Sequence, residues 1–254
     1  MIILLRNDQR HHTQRGNQEI WRSFASEETP GQFASGFGSL TAFDEFRIPP
    51  GDSTEPHCDN EAEMVTYVYR GALSQEDAIG NSGVIHTGEF QRMSAGLRIR
   101  RKESSVSRSD WVHMFRISLR PWQIGVGCEH EQKRFTEAQR RNVLCVVASA
   151  DGRNGSLRIH QDVLVCSAIL DPGHHLVHTL APDRTAWLHA VCGEATINDI
   201  VLTQGDGVGV TNERSVSLTV QESTEFLLVD MGPTICPLGR TLCGTNMALD
   251  RGGN

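Results

Sequence analysis

The sequence predicts an all-β fold in which one pattern of strands occurs twice. Short apolar runs recur at a spacing of about ten residues and are separated by Gly, Asn, Asp and Pro, which is typical of a β-barrel or a β-sandwich. The pattern covers about Leu40–Leu119 and then about Ser156–Met231. We therefore expect two β-domains in tandem.

Each predicted strand is an apolar run bounded by turn residues. The clearest runs are MVTYVY (64–69), GVIHTG (83–88), WVHMFRISL (111–119), NVLCVVA (142–148), VLVCSAIL (163–170), AWLHAVCG (186–193) and FLLVDM (226–231). Two segments between runs have the composition of tight turns, DAIGNSG (77–83) and DGRNG (151–155). One short helix is expected near Arg134–Arg141.

The strand pattern also predicts the domain boundaries. We assign residues 1–142 to the first domain together with its connecting segment, and residues 143–232 to the second domain. The connection itself runs over Arg120–Asn154 and contains the charged run EHEQKRFTEAQRR. Residues 233–254 show no periodicity, and we expect this tail to be mobile.

Composition and charge exclude several classes of protein. The chain has 254 residues, of which 38% are hydrophobic and 22% are charged, as in a folded protein. The formal net charge of −7 argues against general binding to nucleic acid or to an anionic membrane. The opening run MIILL is shorter than the ~7–15-residue core of a signal peptide, so we expect a cytoplasmic protein. The 7 cysteines form no CxxC pair and are expected to be reduced thiols, most of them buried.

The stretch GDSTEPHCDNEAEMVTYVYRG contains the residues best suited to metal chemistry. Five residues separate Gly51 from His57, one separates His57 from Asp59, and three separate Asp59 from Glu63. Seven residues then separate Glu63 from Gly71, which closes the stretch. Since side chains alternate between the two faces of a strand, the side chains of His57, Asp59, Glu61 and Glu63 are expected on one face.

A second stretch, GEFQRMSAGLRIRRKE, occupies residues 88–103. The same alternation places Arg101 and Glu103 on one face of its last strand. If this strand lies beside the one that carries His57 and Asp59, the four side chains surround one pocket.

Together the two stretches resemble the metal-site motifs of a cupin barrel, in the form found in pirin-like proteins. The resemblance continues through EMVTYVYRGALSQEDAIGNSG (63–83), GEFQRMSAG (88–96), EQKRF (131–135) and DGRNGSLRIHQD (151–162). It covers roughly residues 1–231 and is similar in particular to bacterial pirin-like proteins with quercetin 2,3-dioxygenase activity. It implies a bicupin, that is, two tandem cupin barrels of the jelly-roll kind.

The resemblance also implies a metal site of three histidines and one glutamate, holding iron or a similar ion. His57 and Glu103 match two of these positions, whereas Asp59 and Arg101 stand where two histidines are expected. Asp59 could still coordinate through its carboxylate. Arg101 cannot, because a guanidinium stays protonated and has no free lone pair. At ~4 Å and an effective dielectric of ~20, its charge repels each unit of cationic charge by about 4 kcal/mol.

Three arrangements therefore stay open. Arg101 replaces the cation and forms bidentate hydrogen bonds with Asp59 or Glu103, or it turns towards solvent, or a metal site survives on His57, Asp59 and Glu103. The expected cofactor is accordingly none, or alternatively one divalent transition metal (Fe, Mn, Ni, Cu or Zn).

These arrangements correspond to three functional hypotheses. The first is a non-catalytic or regulatory protein that binds a small molecule. The second is a quercetin 2,3-dioxygenase-type oxidoreductase with an altered His57/Asp59/Glu103 centre. The third is an enzyme without a metal, in which Glu103 is the candidate catalytic acid or base. We expect a small aromatic ligand in the N-terminal barrel and no membrane or nucleic-acid partner, and we leave a protein partner open.

The remaining histidines are predicted to have structural roles. His113, in the run WVHMFRISL, is expected to be a hydrogen-bonded pocket residue rather than a ligand. His174, His175 and His178 follow the turn DPG. With His189 they could suggest a second metal site, but no acidic residue has a matching spacing, and all four are expected to be scattered surface or half-buried histidines.

Overall fold

The computed structural model describes residues 1–24, 33, 36–55, 62–78, 80, 82–94, 100–120 and 129–233, together with the backbone of residues 57 and 58. The predicted mobile tail lies outside the described residues from residue 234 onwards. In the described part of the chain, no helix is long and apolar enough to cross a membrane.

The described residues form strands almost throughout. The first half contains β1 (Ile2–Leu5), β2 (His11–Arg15), β3 (Gln18–Arg22), β4 (Leu40–Ile48), β5 (His57–Cys58), β6 (Glu63–Arg70), β7 (Ala72–Asp77), β8 (Ser82–His86), β9 (Glu89–Ser94), β10 (Arg100–Ser105), β11 (Val112–Leu119) and β12 (Glu129–Arg134). The second half contains β13 (Cys145–Ser149), β14 (Leu157–Arg158), β15 (Val163–Leu170), β16 (His175–Thr179), β17 (Thr185–Cys192), β18 (Glu194–Ile197), β19 (Ile200–Thr203), β20 (Gly207–Val210), β21 (Ser215–Val220) and β22 (Thr224–Met231). The helical elements are α1 (Glu137–Arg140) and the 3₁₀ turns Asn7–Gln9 and Arg153–Gly155.

Each domain is a sandwich of one large and one small sheet. The first domain has a seven-stranded sheet in the order β12-β9-β6-β11-β4-β3-β2 and a four-stranded sheet in the order β5-β10-β7-β8. The second domain repeats this with β1-β20-β17-β22-β15-β13-β14 and β16-β21-β18-β19. The duplicated all-β fold that the sequence predicts is therefore confirmed, as is a short helix within Arg134–Arg141.

The strand β6 shows why the sequences of the central strands are continuous apolar runs. Val65 and Tyr67 belong to a core shared by the two domains, whereas Val68 belongs to the interior of the first sandwich. Both faces of β6 are thus covered, so no polar alternation remains. The strand β21, in the outer sheet of the second domain, instead buries every second residue because one of its faces meets solvent.

The two large sheets pack face to face and enclose one core between the domains. Phe43 and Phe115 come from the first domain and Trp187 and Leu227 from the second, and all four are at most 1% exposed. The rings of Phe43 and Trp187 lie 6.4 Å apart across the boundary. Contact of this kind between two apolar sheet faces fixes the relative position of the two domains.

A buried polar network ties the connecting segment to both domains. Arg140, at the end of α1, donates to the carboxylate of Glu225 at 2.6 Å and to the hydroxyl of Ser167 at 3.0 Å. Tyr67 donates its hydroxyl to the same carboxylate at 2.5 Å. Burial raises the pKa of Tyr67 well above its ordinary value, and the charge of Glu225 adds to this, so the phenol remains a donor. The connection is therefore anchored by charge-assisted bonds as well as by the chain itself.

The first strand joins the sheet of the second domain rather than that of the first. β1 pairs antiparallel with β20, with Ile2 opposite Val210 and Leu5 opposite Gly207. The sequence-based boundary assigned residues 1–142 to the first domain, and the structure differs from it at this strand. The physical reason is that β20 would otherwise be an unpaired edge, and the apolar run of β1 covers it.

The interiors of the two sandwiches differ. The second is filled by apolar side chains, including Leu188, Phe226 and Leu228. The first has a smaller apolar cluster, made by Ile48, Val68, Leu73, Ile85, Val112 and Met114. The rest of its interior contains charged residues.

His189 is an unusual residue in the shared core. It is fully buried, and neither ring nitrogen has a hydrogen-bond partner in the described residues. Its ring lies 4.6 Å from Phe43 and 5.5 Å from Phe115. Burial lowers the pKa of His189 well below its ordinary value, and the charge of Arg10 lowers it further. The imidazole is therefore neutral in the folded protein.

We expect this neutral imidazole to make stability depend on pH. The unfolded chain takes up a proton on His189 below its ordinary pKa of about 6.5 and the folded chain does not, so the free energy of unfolding decreases as pH falls below that value. His189→Leu should remove this component and raise stability at neutral pH by about 1 kcal/mol, because no buried ring nitrogen stays unpaired.

Urea unfolding between about pH 5 and about pH 8 measures how His189 changes the free energy of unfolding with pH. His130→Leu, at an exposed position of β12, is the matched control. Parallel pH profiles for the wild type and the His189 variant would contradict the assignment.

Candidate functional site

The two motifs meet in the small sheet of the first domain. β10 pairs antiparallel with β5, so that Arg101 lies opposite His57. On its other side β10 pairs with β7, where Glu103 lies opposite Gln75. The predicted alignment of the two motifs is therefore confirmed at the level of the backbone. Asp59 and the side chain of His57 lie outside the described residues.

The strand β10 alternates as the sequence predicts. Arg101 is 3% exposed and Glu103 is fully buried. Arg100 and Lys102 are exposed on the opposite face. The arginine at the expected ligand position therefore points into the protein, and the arrangement in which it turns towards solvent is wrong.

Glu103 is surrounded by donors. Arg116 donates to its Oε1 atom at 2.5 Å, and Gln75 donates to the same oxygen at 3.0 Å. The Nε atom of Arg101 lies 3.6 Å from this oxygen. The ion pair predicted between Arg101 and Glu103 is present, and among the described residues Arg116 makes the shortest hydrogen bond to this carboxylate. The alternative partner of Arg101, Asp59, lies outside the described residues.

Arg101 also packs against the large sheet. Its guanidinium lies 3.1 Å from the sulfur of Met93 and 3.8 Å from that of Met64. Thioether sulfur is a weak acceptor but a polarisable neighbour for a cation. The two methionines therefore hold the guanidinium inside the sandwich without adding a charge.

Arg116 is a residue of this site that the motifs did not reveal. It lies in β11, and its guanidinium stacks 4.9 Å from the ring of Phe46 in β4. The available signal was a single arginine within the apolar run WVHMFRISL. A charged residue in a strand that is otherwise buried needs a partner of opposite charge. The sequence alone did not show that the partner is Glu103.

Two other motif residues serve the fold. Glu63 reaches the second domain, where it accepts from the backbone N–H of His160 at 2.8 Å and lies 3.0 Å from its ring. Gly71 has φ of +81°, and a Cβ atom there would lie 2.5 Å from the carbonyl oxygen of Trp111. The glycine that ends the first motif is thus required by the turn after β6.

Asp44 also contributes to the charge around Arg116. It lies opposite both Arg116 and Arg22 in the large sheet. Burial raises the pKa of Asp44 to about 6, and these arginines oppose the shift. Asp44 is therefore ionised at neutral pH, and its negative charge lies beside both guanidiniums.

A cavity of about 570 Å³ opens onto this cluster. Glu103 and Arg116 line its polar wall, and Ile20 and Phe46 provide apolar surface. The other lining residues are Arg15, Gly16, Gln18, Arg22, Asp52, Ser53, Thr54 and Glu55. The volume is within the ~300–1,000 Å³ that is usual for small-molecule sites.

The described residues of this pocket do not fit a metal ion. The Oε1 atom of Glu103 accepts from Arg116 and Gln75, and the guanidiniums around it repel a cation. In the part of the chain that the structure describes, no three His, Cys, Asp or Glu side chains form a group that could hold a metal. The ligand set His57, Asp59 and Glu103 stays a prediction, as does a catalytic role for Glu103.

Comparisons with known proteins agree with this architecture. A family model described as Pirin matches residues 7–119, and one described as Quercetinase C-terminal cupin domain matches residues 146–231. The quercetin 2,3-dioxygenase of Escherichia coli strain K12 is 31% identical over 233 residues, which are 92% of this chain and 100% of that protein. A pirin-like protein of Caulobacter vibrioides is 30% identical over 82% of this chain and 89% of its own length.

Among solved structures, bacterial pirin YhhW from Escherichia coli in complex with nickel(II) matches with a TM-score of 0.85 and 31% identity. The match covers 92% of this chain and 100% of that one. The predicted bicupin architecture, two cupin domains in tandem, is therefore confirmed.

We expect each arginine of the charge cluster to stabilise the fold according to the strength of its interaction with Glu103. Arg116→Ala removes the 2.5 Å hydrogen bond to Glu103 and should lower the free energy of unfolding by about 3 kcal/mol, since it leaves a buried carboxylate with one cation fewer. Arg101→Ala leaves Arg116 in place and should cost about 1–3 kcal/mol.

Arg100→Ala, on the exposed face of the same strand, is the control for these variants and should change stability by about 0.5 kcal/mol or less. Urea denaturation measures all three. Equal effects of Arg100→Ala and Arg116→Ala would show that the cluster is not a buried unit.

Proposed function

The chain belongs to the pirin family of bicupin proteins, and from this membership we propose that its first domain binds a small aromatic anion without a metal ion. One observation supports the proposal above all. The carboxylate at the family's metal-ligand position, Glu103, is bound by Arg116 and Gln75, and Arg101 lies beside it. Guanidiniums supply there the positive charge that a cation would otherwise supply.

The guanidiniums of the pocket favour an anionic ligand. Arg15, Arg22 and Arg116 line the cavity, beside the carboxylates of Asp52, Glu55 and Glu103. A guanidinium binds a phenolate or a carboxylate through short, charge-assisted hydrogen bonds.

The shape and apolar surface of the pocket favour an aromatic ring. Phe46 and Ile20 line the cavity, and the guanidinium of Arg116 already stacks on Phe46 at 4.9 Å. Flat aromatic and guanidinium surfaces of this kind stack on a planar ligand. A volume of about 570 Å³ accommodates a ligand of one to three rings.

Binding of quercetin to protein treated with EDTA tests this proposal. Quercetin carries phenolic oxygens on a planar ring system, and we expect saturable binding of one molecule per chain by calorimetry. Phe46→Leu keeps an apolar side chain but removes the ring, so it should weaken binding about three- to tenfold.

The exposed Arg100 again provides the control, and Arg100→Gln should bind quercetin as the wild type does. Binding that requires an added divalent metal would contradict the proposal, and so would binding that Phe46→Leu leaves unchanged.

A second candidate function is that of a metal-dependent quercetin 2,3-dioxygenase. The name of the Escherichia coli relative and the nickel bound in the YhhW structure favour it, as does the position of His57 opposite Arg101. It requires His57, Asp59 and Glu103 to hold a cation beside two arginines.

We expect protein purified without chelator to contain less than stoichiometric Fe, Mn, Ni, Cu or Zn, because the guanidiniums repel a cation at Glu103. We also expect no oxygen consumption with quercetin at enzyme-like rates, about 1 per second or more. Elemental analysis and an oxygen electrode measure the two quantities. Stoichiometric metal together with turnover would establish the second candidate.

Restoring histidines at the two altered ligand positions should allow this site to bind a metal ion. Asp59→His with Arg101→His restores imidazoles at both altered positions, one of them two residues after His57 and the other opposite His57, and removes one of the two cations at Glu103. We expect the double variant to bind Ni(II) more tightly than Arg101→His alone, in which a carboxylate remains the second ligand.

Adding Arg116→Met to the double variant should strengthen Ni(II) binding further, since it frees the Oε1 atom of Glu103 from a 2.5 Å hydrogen bond. Calorimetric titration of the folded variants measures this. If neither the double variant nor the double variant with Arg116→Met binds Ni(II), the side chains at positions 57, 59, 101 and 103 do not surround one metal site.

A further inference from the structure

A second cavity lies at the junction of the two domains. It has a volume of about 450 Å³, and both domains line it: Tyr69, Trp111 and His113 come from the first domain, and Cys192 and Gln204 come from the second. It shares no lining residue with the cavity beside Glu103. We name it the junction cavity.

The junction cavity lies on the other face of the large sheet from the first pocket. In β11, Phe115 belongs to the core between the domains and Met114 to the interior of the first sandwich. Since side chains alternate along a strand, His113 shares the face of Phe115, and Arg116 shares that of Met114. The two cavities are therefore separated by the sheet.

His113 is held in a defined state by a buried charge pair. Its Nε2 atom lies 2.8 Å from Oε1 of Glu45, and Arg10 donates to Oε2 of Glu45 at 2.7 Å. Burial opposes ionisation of Glu45, but the bonds from His113 and Arg10 hold its pKa well below the usual range. The carboxylate is thus ionised and accepts the Nε2 proton. This leaves Nδ1 of His113 as the ring nitrogen that can bind a ligand.

Aromatic surface borders this imidazole. The ring of Tyr69 meets that of His113 edge-on at 5.2 Å, and Trp111 is 46% exposed. Burial raises the pKa of Tyr69 to about 12, with a smaller contribution from the thiol of Cys192, so its hydroxyl remains a donor at neutral pH. A large exposed tryptophan beside a partly buried tyrosine offers two rings to a planar ligand.

Two guanidiniums give the junction cavity its charge. Arg70 stacks 5.0 Å over the ring of Tyr69, and Arg47 stacks 4.8 Å over that of Trp21. Both line the cavity together with the carboxylate of Glu19, and Nη2 of Arg47 also lies 3.4 Å from Oε1 of Glu45. Arginines that already stack on rings are well placed to bind the carboxylate of a planar molecule.

We propose that the junction cavity is a second ligand site, which binds a small aromatic carboxylate with a hydroxyl on its ring. The carboxylate pairs with Arg70 and Arg47, the ring packs on Trp111 and Tyr69, and the hydroxyl donates to Nδ1 of His113. A ligand of one ring, such as a hydroxybenzoate, matches a volume of about 450 Å³ with both groups engaged. Cys192 and Gln204 of the second domain complete the wall of the site.

Calorimetric titration of the full chain with 4-hydroxybenzoate and with benzoate tests the site. We expect 4-hydroxybenzoate to bind at one site per chain and more tightly than benzoate, since only the former has the hydroxyl. Arg70 is exposed, so Arg70→Gln should fold normally and weaken binding about tenfold through loss of a charge-assisted bond. His113→Phe should abolish the preference for the hydroxylated acid.

Arg22→Gln removes an arginine that lines the first cavity and is the matched control, so binding of 4-hydroxybenzoate should be unchanged in it. The proposal is overturned if no saturable binding occurs up to about 5 mM, the weak end of specific recognition. It is equally overturned if Arg22→Gln loses binding while Arg70→Gln retains it, which would place the aromatic acid in the first cavity. Quercetin binding in the Phe46→Leu experiment reports on that first cavity separately.

Discussion

The rest of the structure depends on the core that the two large sheets share. Because Phe43 and Phe115 on one side pack against Trp187 on the other, the central strands of each large sheet present mostly apolar side chains to this core. The charge cluster at Glu103 lies in the interior of the first sandwich, and the cavity at His113 lies at the edge of the domain junction.

The two domains share one arrangement of strands but differ in the side chains that fill their interiors. The second fills its interior with apolar side chains such as Leu188 and Phe226, whereas the first buries Arg101, Arg116 and Glu103 in the corresponding space. Desolvation of buried ions offsets much of their mutual attraction, so an ion cluster is a weak source of stability compared with a packed apolar core. The cluster is accordingly better understood as the floor of a binding pocket than as a support of the fold.

The sequence predicted those features that depend on local periodicity. The duplicated strands, the short helix and the position of Arg101 and Glu103 on one face of a strand all follow from alternation and spacing, whereas the burial of Arg101 was left open. It did not predict that Arg116 would form the short bond to Glu103, because strand order and register in the opposite sheet decide which residue crosses the sandwich. It also missed the pairing of β1 with the second domain and the meeting of His113, Tyr69 and Cys192, since these join segments that are far apart in the chain.

The proposed function separates two properties that a metal ion has in such a site. A divalent ion neutralises the carboxylate at the ligand position and also acts as a Lewis acid towards its substrate. Guanidiniums such as those of Arg101 and Arg116 supply positive charge beside Glu103, but a protonated guanidinium cannot act as a Lewis acid. On this proposal, the carboxylate of Glu103, the strand register around it and the cavity in front of it are kept, and the pocket recognises a ligand instead of activating it.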